Sequence, residues 1–307
     1  MVDVKQWLSE EEVRGLTARS DAQGLIQVAY NWTLITAIFL AVSYWQNPLS
    51  WLLGVLLLGG RQLGLAILMH EAGHGTLFQR PGLNRLVGQW FCAFPILSSL
   101  EAYATSHRGH HARAGSQEDP DLANYVAYPV SVSSFRRKVF RDLSGRTGLR
   151  NLFALVKGEG GDLMTRGSKQ QSPLVQGVVT NSILAIVLLA AGVGELYLMW
   201  VVAYLTIYPF AARVRQLAEH GNVNNLYDPD PRQHTRTTLA NGFERLLICP
   251  NRVNFHCEHH LLASVPCYRL PALHGLLRSR GFYDEHGEAL TRGYWAVVRN
   301  AVSSHER

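Results

Sequence analysis

Four apolar stretches, separated by polar and basic segments, constrain the fold of this chain more than any other feature. They run from about Ala29 to Trp45, Trp51 to Met69, Leu174 to Val193 and Leu196 to Ala212. Each holds ~17–20 residues, which at about 1.5 Å per residue matches a hydrocarbon core of about 30 Å. The reading is all-α: an integral membrane protein with two transmembrane helical hairpins, 29–69 and 174–212, making four spans. One domain covers 1–307. Within it, 1–28 is an interfacial N-terminal segment built on a short amphipathic helix, and 70–173 with 213–307 make a helical cap. Mean hydropathy near zero looks soluble only because apolar and basic segments average out.

Charge distribution orients the spans. The tight connections 47–50 and 193–195 carry no Lys or Arg, whereas 75–172 and 213–307 are rich in both, including Arg136-Arg137-Lys138. By the positive-inside rule the long segments and both termini face the cytoplasm. The net charge of +6 therefore points to a surface bordering a membrane rather than to nucleic acid. Met1 to Trp7 lacks the basic-then-apolar pattern of a signal peptide, so the first internal span is expected to direct insertion. Cys92, Cys249, Cys257 and Cys267 form no C-x-x-C pair, consistent with a reducing compartment or with buried thiols.

Lesser features add detail. The stretch Val87–Leu100, broken by Pro95, is too short to span and is expected to lie in the interface or re-enter partway. The Gly-, Ser- and Lys/Arg-rich segment 141–172 reads as a mobile connection. Arg61 and Gln62 interrupt the second span and must face the bundle interior. They either touch a substrate channel or make a structural pair with a buried group such as Asn181.

Eight histidines fall in three tight clusters on the expected cytoplasmic side: His70 and His74; His107, His110 and His111; His256, His259 and His260. Residues i, i+3 and i+4 of a helix share a face, so each cluster projects together. A zinc site takes about three or four protein ligands, so eight imidazoles imply at least two metal ions. Imidazole suits Zn, Cu, Fe and Ni, and ligand type alone does not choose among them. Cys257, inside the last cluster, is expected to stand behind the ligands rather than bind metal. His70-Glu71-Ala72-Gly73-His74 also matches H-E-x-x-H, the zinc protease pattern with Glu71 as general base. An intramembrane metalloprotease is therefore an alternative, although it leaves the two later triplets unexplained. A histidine-lined metal transporter is a remoter one, since its ligands belong near the bilayer midplane.

The order H-x-x-x-H, H-x-x-H-H, H-x-x-H-H between two hairpins resembles the membrane fatty acid desaturase superfamily, which includes acyl desaturases, hydroxylases and ketolases. The resemblance runs from about Ala29 to Leu277. It is carried further by Asp119-Pro120-Asp121 after the second box and by Asn254 to His260 followed by Pro266-Cys267-Tyr268-Arg269-Leu270-Pro271. It implies a di-iron centre held by the eight box histidines and by His220, in Ala218-Glu219-His220-Gly221-Asn222. Some relatives add a water-mediated Asn one turn earlier, where this chain has Gln216. Glu71, Glu219 and Glu258 neighbour ligand histidines, and some of them, with Asp119 or Asp121, are expected to accept the second imidazole N–H. His274 is read as a supporting residue; His234, His286 and His305 read as ordinary surface histidines.

The resemblance further implies an O2-dependent oxidoreductase that desaturates a fatty-acyl or lipid substrate, with hydroxylation or ketolation of a lipid or isoprenoid as the alternative outcome. The chain shows no haem-attachment or iron–sulfur pattern. Electrons are therefore expected from a separate ferredoxin or cytochrome b5-like protein, drawn by the basic cytoplasmic surface.

Overall fold

Two helices joined by a three-residue turn form the frame of the computed structural model, which describes residues 2–157 and 173–303. A first short helix, α1 (Glu10–Thr17), precedes them. The Ser9 hydroxyl accepts from the Glu12 N–H while the Glu12 carboxylate accepts from the Ser9 N–H, which starts it. α2 (Asp21–Tyr44) and α3 (Pro48–Gly73) follow. Asn47 starts α3 by accepting from the Leu49 and Ser50 N–H groups, and Pro48 at the first helical position needs no donor partner.

α4 (Pro81–Val87) runs into a π-type turn over Gly88–Ala93 and a 3-10 turn over Phe94–Ile96. The backbone then reverses at Leu97 (φ 56°). This is the short apolar stretch; it doubles back instead of spanning and buries Cys92, Ala93 and Ile96 in the main core with α3 residues. α5 (Leu100–Arg113), α6 (Val132–Leu143) and α7 (Arg146–Val156) follow. The first part of the expected mobile connection, 141–157, is thus largely helical, and 158–172 lie outside the described residues.

α8 (Leu174–Ala190), α9 (Tyr197–Leu205) and α10 (Ile207–His220) complete the apolar frame. Among the described residues three helices are long and apolar enough to cross a membrane: 21–44, 48–73 and the run 194–220 through α9 and α10. Leu174–Ala190 is apolar but shorter. The C-terminal region adds α11 (Pro231–His234), α12 (Gly242–Leu247), α13 (His256–Leu261), α14 (Leu270–Ser279) and α15 (Tyr294–Ala301). Two small parallel pairs tie it together: β1 (Val130–Ser131) with β4 (Val302–Ser303), and β2 (Thr237–Leu239) with β3 (Leu290–Arg292). The protein is mostly helical.

α3 is the axis of the molecule, buried on all sides from Leu58 to Ala72. Glycine makes this possible at Gly60, where an added Cβ would stand 2.8 Å from the Leu246 carbonyl oxygen, and small residues let helices approach closely in membranes. Arg61 points inward as expected, but its partner is not Asn181. Its guanidinium donates to Asn31 Oδ1 (3.3 Å) and to the Leu246 carbonyl, and Asn31 Nδ2 donates to the Arg61 carbonyl (3.2 Å). Asn181 instead accepts from Trp200 Nε1 (3.1 Å) and donates to the Pro95 carbonyl (3.2 Å). The facing helix at the level of Arg61 is α2, which one-dimensional hydropathy does not reveal.

The N-terminal segment departs from expectation too. The apolar face of α1 is not left open for lipid: Leu8 and Leu16 sit in a core cluster with Phe255, Leu270, Leu273 and Phe282. Trp7 meets Phe282 edge-on at 5.2 Å, and Glu12 pairs with Arg280 at 2.5 Å. An amphipathic helix takes whichever apolar surface is nearest, and here the C-terminal region provides it.

Candidate metal centre

The nine histidines expected to face metal come from four elements. His70 lies in the last turn of α3 and His74 closes that helix. His107, His110 and His111 stand on α5; His220 ends α10; His256, His259 and His260 occupy α13. The structure brings all nine together, in two groups rather than one.

In the first group, ring nitrogens of His70, His74, His107 and His259 lie within 4.8 Å of one another. His111 adds a fifth, its Nε2 3.0 Å from both His107 Nε2 and His259 Nε2. In the second group, His110, His220, His256 and His260 meet in the same way. There His220 Nε2 faces His256 Nε2 at 2.9 Å and His110 Nε2 faces His260 Nε2 at 3.3 Å.

The two H-x-x-H-H triplets do not each serve one group. A helix turns about 100° per residue, so i and i+4 differ by about 40°, while i+3 stands about 60° to the other side of i. His107 and His111, an i/i+4 pair, enter the first group and His110 the second. On α13 the i/i+4 pair His256 and His260 enters the second group and His259 the first. The two boxes therefore cross over, and the groups hold five and four imidazoles.

These nitrogens suit metal ions better than hydrogen bonds. Two nitrogens each about 2.1 Å from one ion, at an angle of about 90–105°, would lie roughly 3.0–3.3 Å apart, close to the spacings above. Hydrogen bonding cannot account for them all: His111 Nε2 faces two other Nε2 atoms, and one proton serves only one contact. His74 Nε2 is buried with no hydrogen-bond partner. Burial pushes His74 down to about 4 and holds His107, His111, His256, His259 and His260 well below the usual histidine range. They are neutral and their lone pairs are available.

Outer contacts fix the tautomers. His110 Nδ1 donates to Asp119 Oδ1 at 2.8 Å, and His220 Nδ1 donates to the His234 carbonyl at 3.0 Å. Each acceptor keeps the proton on Nδ1 and leaves Nε2 bare towards the second group. Asp119 is itself held by the Tyr125 hydroxyl and the Asp121 N–H (2.9 Å). Burial pushes its pKa up, but neighbouring His110 and the hydrogen bonds from His110, Tyr125 and the Asp121 N–H together outweigh it and hold the carboxyl below its usual range. Asp121 is farther from His110 Nδ1, at 3.9 Å. Glu219 pairs with Arg215 (2.8 Å) and stands 3.6 Å from His256 Nδ1.

Glu71 and Glu258 make their hydrogen bonds outside the two histidine groups, although Glu71 Oε1 stands 3.9 Å from His70 Nε2. Glu71 accepts from the Cys267 N–H and the Thr76 hydroxyl, both at 2.9 Å, which ties the end of α3 to the start of the α14 region. A carboxylate committed to a buried backbone N–H is not placed as the general base of a zinc protease. Glu258 accepts from Tyr283 (2.5 Å) and Thr237 and meets His274 Nδ1, so His274 supports α13 indirectly. Gln216 lines a small cavity of about 20 Å³ beside His110, His220 and His256. Cys257 is buried and, among the described residues, joins neither group.

His234 corrects the sequence reading. It is buried, its carbonyl orients His220, and its Nδ1 donates to the Asp228 carbonyl at 2.8 Å. No local pattern announces this, because the contact closes a loop of intervening residues. His286 is half-buried against Gln233, and His305 lies outside the described residues. Sequence reasoning also missed Tyr103, whose hydroxyl meets His70 Nδ1 at 2.7 Å, and Tyr125, which stacks on His220 at 4.8 Å. Tyr103 precedes His107 by one helical turn, a spacing that would have found it.

Two groups of histidines that could each hold a metal ion, gathered beside long apolar helices, suggest a membrane-bound enzyme, and comparison with known proteins indicates an oxidoreductase. Residues 47–294 match the fatty acid desaturase family, and the chain belongs to that family. It is 30% identical to the dihydrorhizobitoxine desaturase of Bradyrhizobium elkanii, over 81% of this chain and 74% of that one. It is 26% identical to a beta-carotene ketolase of Paracoccus sp. (strain PC1), over 72% and 78%. With the sn-1 acyl-lipid omega-3 desaturase (ferredoxin) of a Synechocystis strain it shares 24% identity, over 83% and 75%.

Proposed function

We propose that His70, His74, His107, His111 and His259 hold one iron and His110, His220, His256 and His260 a second, with Gln216 beside the four-histidine site. The observation that carries this reading is the crossed five-and-four grouping, with Nε2 pairs at 2.9–3.3 Å in both groups and His74 within 4.8 Å of His70, His107 and His259. When bound, the iron pair supplies the oxidising power, with O2 and external electrons, to break an unactivated C–H bond. The chain's own part is to gather the nine imidazoles, to fix the tautomers of His110 and His220 through Asp119 and the His234 carbonyl, and to limit water at the site by burying most of it.

The reaction is desaturation of a fatty-acyl or lipid substrate. Two hydrogens leave adjacent carbons, and with O2, two electrons and two protons the products are an alkene and two waters. The beta-carotene ketolases among the relatives favour a second reading, in which oxygen is returned to a lipid or isoprenoid carbon. The electrons come from a ferredoxin or cytochrome b5-like donor; one relative carries ferredoxin in its name. The basic segments, both termini and the metal site face the cytoplasm, with α8 as the fourth span.

Lipid profiling of cells expressing the protein or its His107→Ala variant tests the reading. A double bond made by the parent and lost in the variant supports desaturation. A hydroxyl or keto product lost instead replaces the first choice by the second, and identical profiles reject both.

A further inference from the structure

Outside the two histidine groups, a cavity of about 400 Å³ leads from the surface to His74. Small residues, Ala72, Gly73 and Ala104, form its inner wall beside that imidazole. Its rim carries Arg19, from the link between α1 and α2, Arg85 on α4 and Arg108 on α5. Among the described residues none of these three arginines has a carboxylate within ion-pair distance, whereas neighbouring Arg80 is neutralised by Asp21 at 2.6 Å. Arg108 reaches the Thr105 hydroxyl at 3.4 Å, and Glu101 is the one acid on the wall.

Three guanidinium groups from three separate segments, unneutralised around one concave opening, make a receptor for an anion. Arg presents a planar fork that matches carboxylate and phosphate oxygens, and a cleft focuses the field of like charges. Behind the rim the wall turns to small aliphatic residues and ends at a metal-facing imidazole. That sequence of surfaces, charged and then apolar and then reactive, fits a molecule with an anionic end and a hydrocarbon body.

We propose that this opening admits the substrate, that Arg19, Arg85 and Arg108 hold an anionic group on it, a carboxylate or a phosphate ester, and that its hydrocarbon passes His74. The proposal rests on the oxidoreductase reading for what happens at His74, but its test reads binding alone.

Metal-loaded protein in detergent is titrated with a fluorescent polyene fatty acid, which is then displaced by decanoate, decyl phosphate or neutral decanol. At least one anion should displace the probe at about tenfold lower concentration than decanol. Arg85→Gln and Arg108→Gln should each weaken that anion about three- to tenfold and leave decanol and iron content unchanged. Arg108→Lys should fall between. Whether decanoate or decyl phosphate displaces better assigns the anion to a free acid or a phosphate, and either supports the site. Decanol matching both anions, or anion displacement unchanged in both Gln variants, overturns it. Selective anion binding without any lipid product would instead reject the catalytic reading and leave this one standing.

Discussion

Replacing Asp119 should act on only one of the two proposed metal sites. His110 Nδ1 lies 2.8 Å from Asp119 Oδ1, both residues are buried, and His110 belongs only to the four-histidine group. A carboxylate behind a metal-bound imidazole is worth about 10- to 100-fold in metal affinity, or ~1.4–2.7 kcal/mol. Asp119→Asn keeps an acceptor oxygen of similar shape and removes the charge, so the loss should be about tenfold, at the low end of that range. Asp119→Ala removes the acceptor as well and frees His110 to shift its proton to Nε2, which points to a loss near 100-fold. The five-histidine group does not touch Asp119 and should keep its ion. The assay is iron per chain, measured by elemental analysis after dialysis against graded chelator. The parent should lose iron in two steps, and Asp119→Ala should move one of them. Equal movement of both steps, or of neither, would refute the reasoning.

Other expectations follow from the same contacts. His111→Ala should weaken the five-histidine site and His260→Ala the four-histidine site, although both residues sit at the last position of equivalent boxes; chelator titration of the two variants must show opposite steps moving. Asn31→Leu removes the acceptor for buried Arg61 and should lower stability by about 1–3 kcal/mol, read as thermal unfolding in detergent; an unchanged transition would count against that pair. Glu71→Gln should destabilise by about 1 kcal/mol through its Cys267 and Thr76 contacts while iron content stays at the parental value. Turnover with an acidic electron donor should fall steeply between low and moderate salt; a rate independent of salt below donor saturation removes the basic surface from donor docking.

The sequence made much of the site legible because ligand spacing on a helix is local. Each box histidine lies within four residues of another, and an apolar stretch places His70 and His74 at a helix end. His220 has no neighbouring histidine and emerged only through the family pattern. What pattern did not carry was how the boxes divide. His110 and His111 are adjacent in the chain yet serve different groups, and that depends on how α5 is rotated against α13. The same limit hid His234, whose carbonyl reaches His220 across a loop, and gave Arg61 the wrong partner.

By itself, then, the sequence pointed to a helical membrane protein with an imidazole-rich centre that could hold metal, because hydropathy and helical periodicity are properties of short segments. Only the tertiary structure decided the five-and-four division, the pairing of Asp119 with His110, the turning of Glu71 and Glu258 to structural work, and the docking of α1 on the C-terminal region. Each of those depends on the orientation of elements far apart in the chain. Orientation is set by side chains meeting across space, such as Asn31 with Arg61 and Gly60 against the Leu246 carbonyl. No local pattern encodes which of those meetings occurs.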